Sequence, residues 1–304
     1  MDNSYEVLIV GGGPAGLSAA LALGRMLRSV LICDDGRPRN LASSHANNLP
    51  SQDGIHPAQW RENARNDLKK YETIHFFDGS VQSIEKDGKA FKAKLSTGKV
   101  LAFRKVILAH GIKDKLPSTP GFQELWGKAV FHCPYCHGYE FRGKRLGFVG
   151  NGELAEHVLP MLLGLSGEVI VFTNGKAELS PEFQGLMRKR SVHLIEGKIT
   201  SLVHRDGTLQ AVEIEGGTSV ERDALLLGPT LPFEMKAPLG ESLGCEKTEM
   251  GLYKVAEFGK TTVPGVFAAG DIMTLLQSVL GAASLGQAAG AGTANELLIE
   301  DFAG

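Results

Sequence analysis

The stretch that decides the fold is Glu6-Val7-Leu8-Ile9-Val10-Gly11-Gly12-Gly13-Pro14-Ala15-Gly16. Its first half is a short, continuous apolar run, which is typical of a strand buried on both faces of a parallel sheet. Its second half carries three glycines at the spacing G-x-G-x-x-G, and the helix-like run 17–23 follows. A second strand at 30–33 and an acid then complete the order that predicts a dinucleotide-binding fold.

Each glycine of this loop has a physical role in nucleotide binding. Gly11 permits a tight turn, Gly13 lets the backbone approach a pyrophosphate, and Gly16 lets helix and strand pack closely. The amino terminus of the helix attracts phosphate. Asp34, at the end of the second strand, is placed to accept hydrogen bonds from a ribose.

The pattern returns in the middle of the chain as an internal repeat. A strand at 146–149 leads to Gly150-Asn151-Gly152-Glu153-Leu154-Ala155, and a second strand lies at 169–172. In this copy Ala155 takes the place of the third glycine, which the pattern permits. The repeat therefore predicts a second dinucleotide fold.

The second copy has lost the residues that read a nucleotide. Thr173 falls where Asp34 stands in the first copy, and no arginine is present for a 2′-phosphate. Lys176 and Arg188-Lys189-Arg190 offer weak substitutes, but such a run is more often a solvated helix face. We also expect Pro160 to interrupt the helix that follows the loop.

The remaining segments complete an α/β chain. We expect a helix at 58–71, a small antiparallel meander within 75–104 and a strand at 106–109 that ends in His110-Gly111. A proline-containing linker follows at 113–121. A strand that ends at Asp271 precedes a long Ala/Gly-rich helix over about 281–299.

The segment His132-Cys133-Pro134-Tyr135-Cys136-His137-Gly138 carries the reactive side chains. In a C-x-x-C pair one thiolate can attack an outside disulfide and the other can resolve the mixed intermediate. A zinc site normally needs a second pair of ligands, whereas Cys33 and Cys245 stand alone. The segment Cys133–His137 also fits the C-x-x-C-H pattern of c-type haem attachment, but that modification requires export, and the sequence has no signal peptide. Two inert buried cysteines are the remaining alternative. The pattern favours dithiol/disulfide chemistry and no metal.

Composition excludes several functional classes. A length of 304 residues indicates two domains, and a net charge of −2 without a basic patch argues against nucleic acid or an anionic membrane as the main partner. No apolar run reaches the ~20 residues of a membrane span. Residues 1–5 lead almost directly into a strand, without a signal peptide, so we expect a cytoplasmic protein.

The chain resembles the low-molecular-weight thioredoxin reductases, a family of FAD flavoproteins, nearly from end to end. Gly11-Gly12-Gly13-Pro14-Ala15-Gly16 is similar to that family's FAD pyrophosphate loop. Asn48-Leu49-Pro50 resembles its flavin-side Asn-Trp-Pro, and Ala109-His110-Gly111 resembles its Ala-Thr-Gly. The run from Val263 through Gly270 to Asp271 is similar to its Pro-Gly-Val-Phe-Ala-Ala-Gly-Asp. The redox pair precedes the second glycine loop at the family's spacing.

The resemblance implies an α/β fold with two Rossmann-like domains of three ββα layers, the second inserted in the first. Residues 1–116 and 243–304 would form the FAD domain, and residues 117–242 a NAD(P)-binding-like domain that carries the pair. It also implies a homodimer, bound FAD, and Asp271 holding the ribityl chain. Cys136 would face the flavin and Cys133 the substrate.

Three departures from the family bear on function. His137 replaces the aspartate credited with acid/base work, and an imidazole titrates near neutral pH. Thr173-Asn174-Gly175 replaces the stretch that grips NADPH, and the flavin-contacting Arg-Gln-Ala is replaced near Gln277-Ser278-Val279. The pattern CPYCHGYE is closer to the branch of the gliotoxin- and holomycin-type dithiol oxidases, which reoxidise flavin with oxygen.

The leading hypothesis is an FAD-dependent dithiol/disulfide oxidoreductase in which His137 manages protons for Cys133 and Cys136. Its partner would be a thioredoxin-like protein or a small-molecule dithiol or disulfide. The direction of electron flow and the use of NADP(H) stay open at this point. The alternatives are an NADPH-dependent thioredoxin reductase and a flavin-bound redox sensor with little turnover.

Overall fold

The computed structural model describes residues 5–228 and 232–304. Residues 1–4, which the sequence places ahead of the first strand, lie outside that range. Within it, the strands in chain order are β1 Val7–Val10, β2 Val30–Asp34, β3 Ile74–Asp78, β4 Val81–Asp87, β5 Ala90–Leu95, β6 Val100–Phe103, β7 Lys105–Leu108, β8 Ile112–Asp114, β9 Val130–Phe131, β10 Leu146–Val149, β11 Val169–Phe172, β12 His193–Ile195, β13 Ile199–Arg205, β14 Thr208–Ile214, β15 Thr218–Glu221, β16 Ala224–Leu227, β17 Phe233–Met235 and β18 Val266–Ala268.

The helices are short, except for the last one, which spans 25 residues. They are α1 Pro14–Arg25, α2 Pro57–Leu68, α3 Phe122–Leu125, α4 Pro134–His137, α5 Gly152–Leu163, α6 Pro181–Lys189, α7 Leu239–Ser242 and α8 Val279–Ala303. Short 3-10 helices lie at Arg39–Ala42, Tyr139–Phe141, Glu257–Gly259 and Gly270–Ile272. None of these helices combines the length and the apolarity that crossing a membrane requires.

Packing divides the described residues into two compact units. The first consists of residues 5–41, 57–113 and 234–304, and the second of residues 42–56, 114–228 and 232–233. The domain boundaries predicted from the sequence stay a prediction, because a unit defined by contacts has not been shown to fold alone.

The first unit is built on a parallel sheet with the strand order β18-β7-β1-β2-β3. The continuous apolar runs of β1 and β7 are buried because helices cover this sheet. Helix α8 packs along α1, and its Gly286 and Gly290 allow the two backbones to meet. The predicted meander is confirmed as β4-β5-β6, which is antiparallel, while β3 joins the parallel sheet instead.

The second unit repeats this arrangement. Its parallel sheet has the order β12-β11-β10-β16-β9, so β10 lies between β11 and β16 as β1 lies between β2 and β7. Strands β13-β14-β15 form an antiparallel sheet. The internal repeat is therefore confirmed, together with the predicted α/β class.

The expected break at Pro160 is wrong. Pro160 lies inside α5, which continues to Leu163. A proline interior to a helix removes one backbone hydrogen bond. Here it sits in the last turn, where few later residues depend on that bond, and the carbonyl of Pro160 still accepts the N–H of Gly164 at 3.2 Å.

Candidate active site

The glycine loop of the first unit is held between two strand ends. Gly11 has a φ of 109°, which favours glycine, and a Cβ there would lie 2.7 Å from the carbonyl carbon of Ala109. A Cβ on Gly16 would overlap the carbonyl oxygen of Gly11. Among the described residues other than its chain neighbours, no heavy atom lies within 4 Å of the place where a Cβ on Gly13 would stand. Gly11 and Gly16 are therefore needed by the fold, whereas the space beside Gly13 is open.

Asp34 stands at the end of β2 beside this loop. Its carboxylate accepts the N–H of Gly36 at 3.1 Å and lies 3.5 Å from the guanidinium of Arg65. It lines a cavity of about 820 Å³, together with Gly12, Arg61, Asp78 and Ser80. Ligand pockets usually have volumes of about 300–1,000 Å³, so this cavity is large enough for part of a dinucleotide.

Gly270 and Asp271 reach the same loop from β18. A Cβ on Gly270 would meet the Cβ of Ala15 at 3.0 Å, which places the start of α1 directly beside Gly270. The Asp271 carboxylate accepts a hydrogen bond from Arg39 at 2.9 Å, and Arg39 also donates to Gln277 at 2.6 Å. Sequence reasoning missed Arg39, because an arginine in a loop carries no pattern that marks it.

His110 and Gly111 follow β7 at the same edge of the sheet. The His110 ring is buried, its Nδ1 lies 3.0 Å from the carbonyl oxygen of Gly111, and its Nε2 has no hydrogen-bond partner within the described residues. Burial lowers the pKa of His110 below its ordinary value of about 6.5. The neutral ring is therefore the form that the fold favours.

This burial predicts a pH-dependent loss of stability. Because the pKa of His110 is lower in the folded chain, the unfolded chain binds protons more readily below about pH 6.5, and the free energy of unfolding falls as pH drops. His110→Thr should reduce that slope by up to about 1.4 kcal/mol per pH unit between about pH 7 and 5. Urea unfolding at several pH values measures it. His157→Thr, which removes an exposed histidine of α5, is the control. If the free energy of unfolding changes with pH equally in the wild type and in His110→Thr, the prediction is contradicted.

Cys133 and Cys136 are joined by a disulfide across the single turn of α4. Positions three apart on a helix face the same side, which brings the two sulfurs together. Pro134 begins the helix and Tyr135, between the cysteines, is 69% exposed. Both cysteines are partly exposed, so an outside thiol can reach the pair.

The other two cysteines differ from this pair. Cys33 and Cys245 are buried free thiols. Burial raises the pKa of the Cys33 thiol to about 12 and also raises that of Cys245. A thiol with a raised pKa is a poor nucleophile at neutral pH. Within the described residues, no three His, Cys, Asp or Glu side chains lie together as a metal ion would require.

His137 lies next to the disulfide and is held on two sides. Its ring stacks on Phe131, with the ring centroids 5.8 Å apart, and Phe131 stacks in turn on Phe141. Its Nε2 lies 3.1 Å from the hydroxyl oxygen of Ser43. Burial lowers the pKa of His137, nearby Glu140 acts against that shift, and the charge of His45 adds to it. The neutral ring can therefore accept a proton near neutral pH.

The segment 42–56 packs in the same unit as the redox pair. Asn47 donates a hydrogen bond to the carbonyl oxygen of Cys136 at 2.9 Å. Asn48, which the family resemblance singles out, is exposed, has a φ of 60°, and donates its backbone N–H to Asp53 at 2.6 Å. Ser43 and Asn47 were missed, because their partners are distant in sequence and the loop has no periodic pattern.

Polar side chains around the second glycine loop and the end of β11 form hydrogen bonds within the protein. The Thr173 hydroxyl is buried and donates to the carbonyl oxygen of Gly175 at 2.6 Å. Asn174 accepts the N–H of Ile199 at 2.8 Å. Asn151 accepts the N–H groups of Gly152 and Glu178, at 3.0 and 2.8 Å. The side chains at the ribose-reading end of this loop are thus engaged within the protein.

The fold, the paired cysteines and the two glycine loops can be compared with known proteins. The profile of the pyridine nucleotide-disulphide oxidoreductase family matches residues 5–290. The chain belongs to this family.

Similar proteins cover almost the whole oxidoreductase. The thioredoxin reductase aclD of Aspergillus oryzae is 34% identical over 315 residues, spanning 98% of each chain. The thioredoxin reductase tcpT of Claviceps purpurea is 35% identical over 309 residues, spanning 98% of this chain and 96% of its own. The crystal structure of HlmI has a TM-score of 0.92 at 34% identity and covers 100% of this chain and 95% of HlmI. The predicted thioredoxin reductase-like enzyme is therefore confirmed at the level of fold and family.

The predicted site residues of the oxidoreductase fall into two groups, one in each unit. Gly11, Gly13, Pro14, Ala15, Gly16, Asp34, Ala109, Gly111, Gly270 and Asp271 belong to the first unit, and Asn48, Cys133, Cys136 and His137 to the second. The first group lies around the glycine loop. The second contains the disulfide and His137, together with Asn48, whose neighbour Asn47 contacts Cys136. Their roles in binding and catalysis are proposals, developed below.

Proposed function

We propose that the protein is an FAD-dependent dithiol/disulfide oxidoreductase that exchanges electrons with an external thiol or disulfide and does not use a standard NADPH site. The observation that carries this proposal is a partly exposed Cys133–Cys136 disulfide with the half-buried His137 next to it, whose ring stacks on Phe131 and whose pKa is lowered by burial. A nucleophile, its partner sulfur and a group able to move protons are the parts that thiol–disulfide exchange requires.

The first unit has the features that FAD requires. The open space beside Gly13 at the start of α1 suits a pyrophosphate, which the N–H groups of a helix amino terminus attract. Asp34 in the 820 Å³ cavity suits a ribose. Arg61, which lines the same cavity, has a buried Nε without a hydrogen-bond partner within the described residues, so a polar donor is available to a ligand. Asp271 would hold the ribityl chain.

Gly13→Ala tests the FAD site without disturbing the fold. Gly13 has φ −81° and ψ −173°, which alanine also adopts, and a methyl group there meets no protein atom. It would project into the space proposed for the pyrophosphate. We expect FAD affinity to fall about tenfold or more, equivalent to about 1.4 kcal/mol, at an unchanged melting temperature of the apoprotein. Quenching of flavin fluorescence measures the affinity. Gly167→Ala is the control, because a methyl group at that position also meets no described atom. An unchanged FAD affinity in Gly13→Ala would contradict the assignment.

Cys133 and Cys136 have different roles in the proposed thiol–disulfide exchange. A substrate thiol loses its proton and attacks Cys133, the Cys133–Cys136 bond breaks, and Cys136 leaves as a thiolate. The second substrate thiol then attacks the mixed disulfide and releases Cys133. The substrate loses two electrons and two protons and becomes a disulfide, while the pair becomes reduced; His137 accepts the first proton and the released Cys133 thiolate accepts the second. When bound, FAD supplies a two-electron carrier between the reduced pair and a final acceptor, for which we propose O2.

The second glycine loop supports a role without standard NADPH binding. An adenosine 2′-phosphate is normally held by arginine, whereas Thr173 and Asn174 are engaged by internal hydrogen bonds. Glu196 accepts the N–H of Ala177 in the same region, which places a negative charge there. The Glu196 carboxylate opposes an anionic phosphate there, and Lys176 is the adjacent cation.

Turnover measurements test the proposed function. FAD-loaded protein should consume O2 and form disulfide from a small dithiol over many cycles, and it should reduce a thioredoxin-type disulfide only weakly with NADPH. Rapid NADPH-driven reduction with no dithiol oxidation would favour the thioredoxin reductase alternative. A change of conformation on oxidation without turnover in either direction would favour a redox sensor. A homodimer, a cytoplasmic location and the domain boundaries at 116/117 and 242/243 remain predictions within this proposal.

A further inference from the structure

The hydroxyl group of Ser43 has a complete set of hydrogen bonds. Ser43 is buried, and its Oγ lies 2.7 Å from the carbonyl oxygen of His45, which can only accept. The same oxygen accepts the N–H of His45 at 3.4 Å and lies 3.1 Å from Nε2 of His137. A hydroxyl group has one proton to donate and two lone pairs. Because the proton is directed to His45, the Nε2 of His137 must be the donor to Ser43.

This assignment fixes the form of the His137 ring. A neutral imidazole carries one N–H, so an Nε2–H leaves Nδ1 with a bare lone pair. That Nδ1 is buried and has no hydrogen-bond partner within the described residues. An unpaired buried acceptor is unfavourable, and such groups in native proteins often have a chemical role.

The surroundings of His137 hold its ring in place, and few other groups influence where its proton lies. Phe131 covers one face of the ring. The charged or titratable groups that act on it are Glu140, after α4, and His45, on the segment 42–56. His45 is itself engaged through Nδ1 with the hydroxyl of Ser44 at 2.9 Å. Ser43 is thus the side chain that decides which ring nitrogen of His137 carries the proton.

We propose that Ser43 is a positioning residue that holds His137 as the Nε2–H tautomer and thereby makes Nδ1 the proton acceptor of the thiol–disulfide step. This inference rests on the proposed function, since it assigns an atom to the proton transfer. Binding of the substrate has to bring its thiol into reach of the buried Nδ1. The substrate S–H bond then breaks and its proton moves to Nδ1; the electron pair left on sulfur forms the new bond to Cys133, and the Cys133–Cys136 bonding pair departs with Cys136. Atoms and charge balance with no further reactant.

Ser43→Ala is the test, with Ser43→Thr as the conservative variant and Ser44→Ala as the neighbouring control. Loss of the general base itself costs about 10²–10⁴-fold, and Ser43→Ala should lower the rate of disulfide reduction by a small dithiol about tenfold or more. The imidazolium also loses an acceptor, so the acid limb of the pH–rate profile should move to lower pH. Ser43→Thr should restore both quantities, and Ser44→Ala should change neither.

Nitrogen NMR of histidine-labelled protein gives a readout independent of activity. The wild type should give His137 signals of the Nε2–H tautomer, assigned by comparison with His137→Gln, and Ser43→Ala should give a mixture of tautomers. Rates within about twofold of wild type, or a lower rate with an unmoved acid limb and unchanged ring signals, would overturn the inference. If the wild type turns over no dithiol at all, the proposed function fails, and the ring signals still decide the tautomer.

Discussion

Cys136→Ser should abolish dithiol turnover while the protein still binds FAD and stays yellow. Serine keeps the size of the side chain but cannot form the disulfide that stores two electrons. Cys136 is only partly buried and belongs to the second unit, whereas the residues proposed to hold FAD, apart from Asn48, are in the first. Loss of an essential nucleophile can cost about 10⁶-fold, and we expect more than about 10³-fold here.

Steady-state oxygen consumption with a small dithiol, together with the visible spectrum, measures this effect. Cys133→Ser should behave in the same way, because either serine breaks the pair. Cys245→Ser is the matched control, since that thiol is buried and has a raised pKa. If Cys136→Ser keeps more than about a tenth of the wild-type rate, the pair does not carry the electrons.

Gly286→Ala should be the most destabilising small substitution in the long carboxyl-terminal helix. Alanine normally favours a helix over glycine by about 1 kcal/mol. Here the added Cβ would lie 2.7 Å from the Cα of Ala15 and would overlap the carbonyl oxygen of that residue. Both atoms are backbone at the start of α1, so neither can move without displacing the glycine loop. The steric overlap should outweigh the gain in helix propensity and lower the free energy of unfolding by more than about 3 kcal/mol.

Chemical unfolding of the apoprotein, with FAD binding as a second measurement, tests this prediction. Gly185→Ala in α6 is the control, because its nearest neighbour is an arginine side chain at 3.9 Å. That variant should be stabilised by about 0.5–1 kcal/mol through helix propensity. A free energy of unfolding of Gly286→Ala at or above that of the wild type would show that the two helices do not pack as described.

Much of this architecture could be predicted because its signals are local. The apolar runs of β1 and β10 and the glycines after them lie within a few residues of one another, and parallel strands need such runs. The C-x-x-C pair is likewise visible as a spacing, and its disulfide spans one helical turn. These features do not depend on a contact between distant segments.

The parts that could not be predicted depend on distant contacts. Ser43 and Asn47 meet α4 across about ninety residues of chain, and Arg39 meets Asp271 across more than two hundred. A serine or asparagine in a loop has no periodicity that reveals its partner. The prediction at Pro160 was wrong for another reason. Proline breaks a helix when further turns follow it, whereas α5 ends three residues after Pro160.

The measurement that tests the central claim most directly is an anaerobic titration of the FAD-loaded protein, followed by visible absorbance. We predict that a small dithiol bleaches the flavin in the wild type but not in Cys136→Ser, that NADPH and NADH at equal low concentration leave it oxidised, and that air restores the colour. Rapid bleaching by NADPH, with none by the dithiol, would contradict the account.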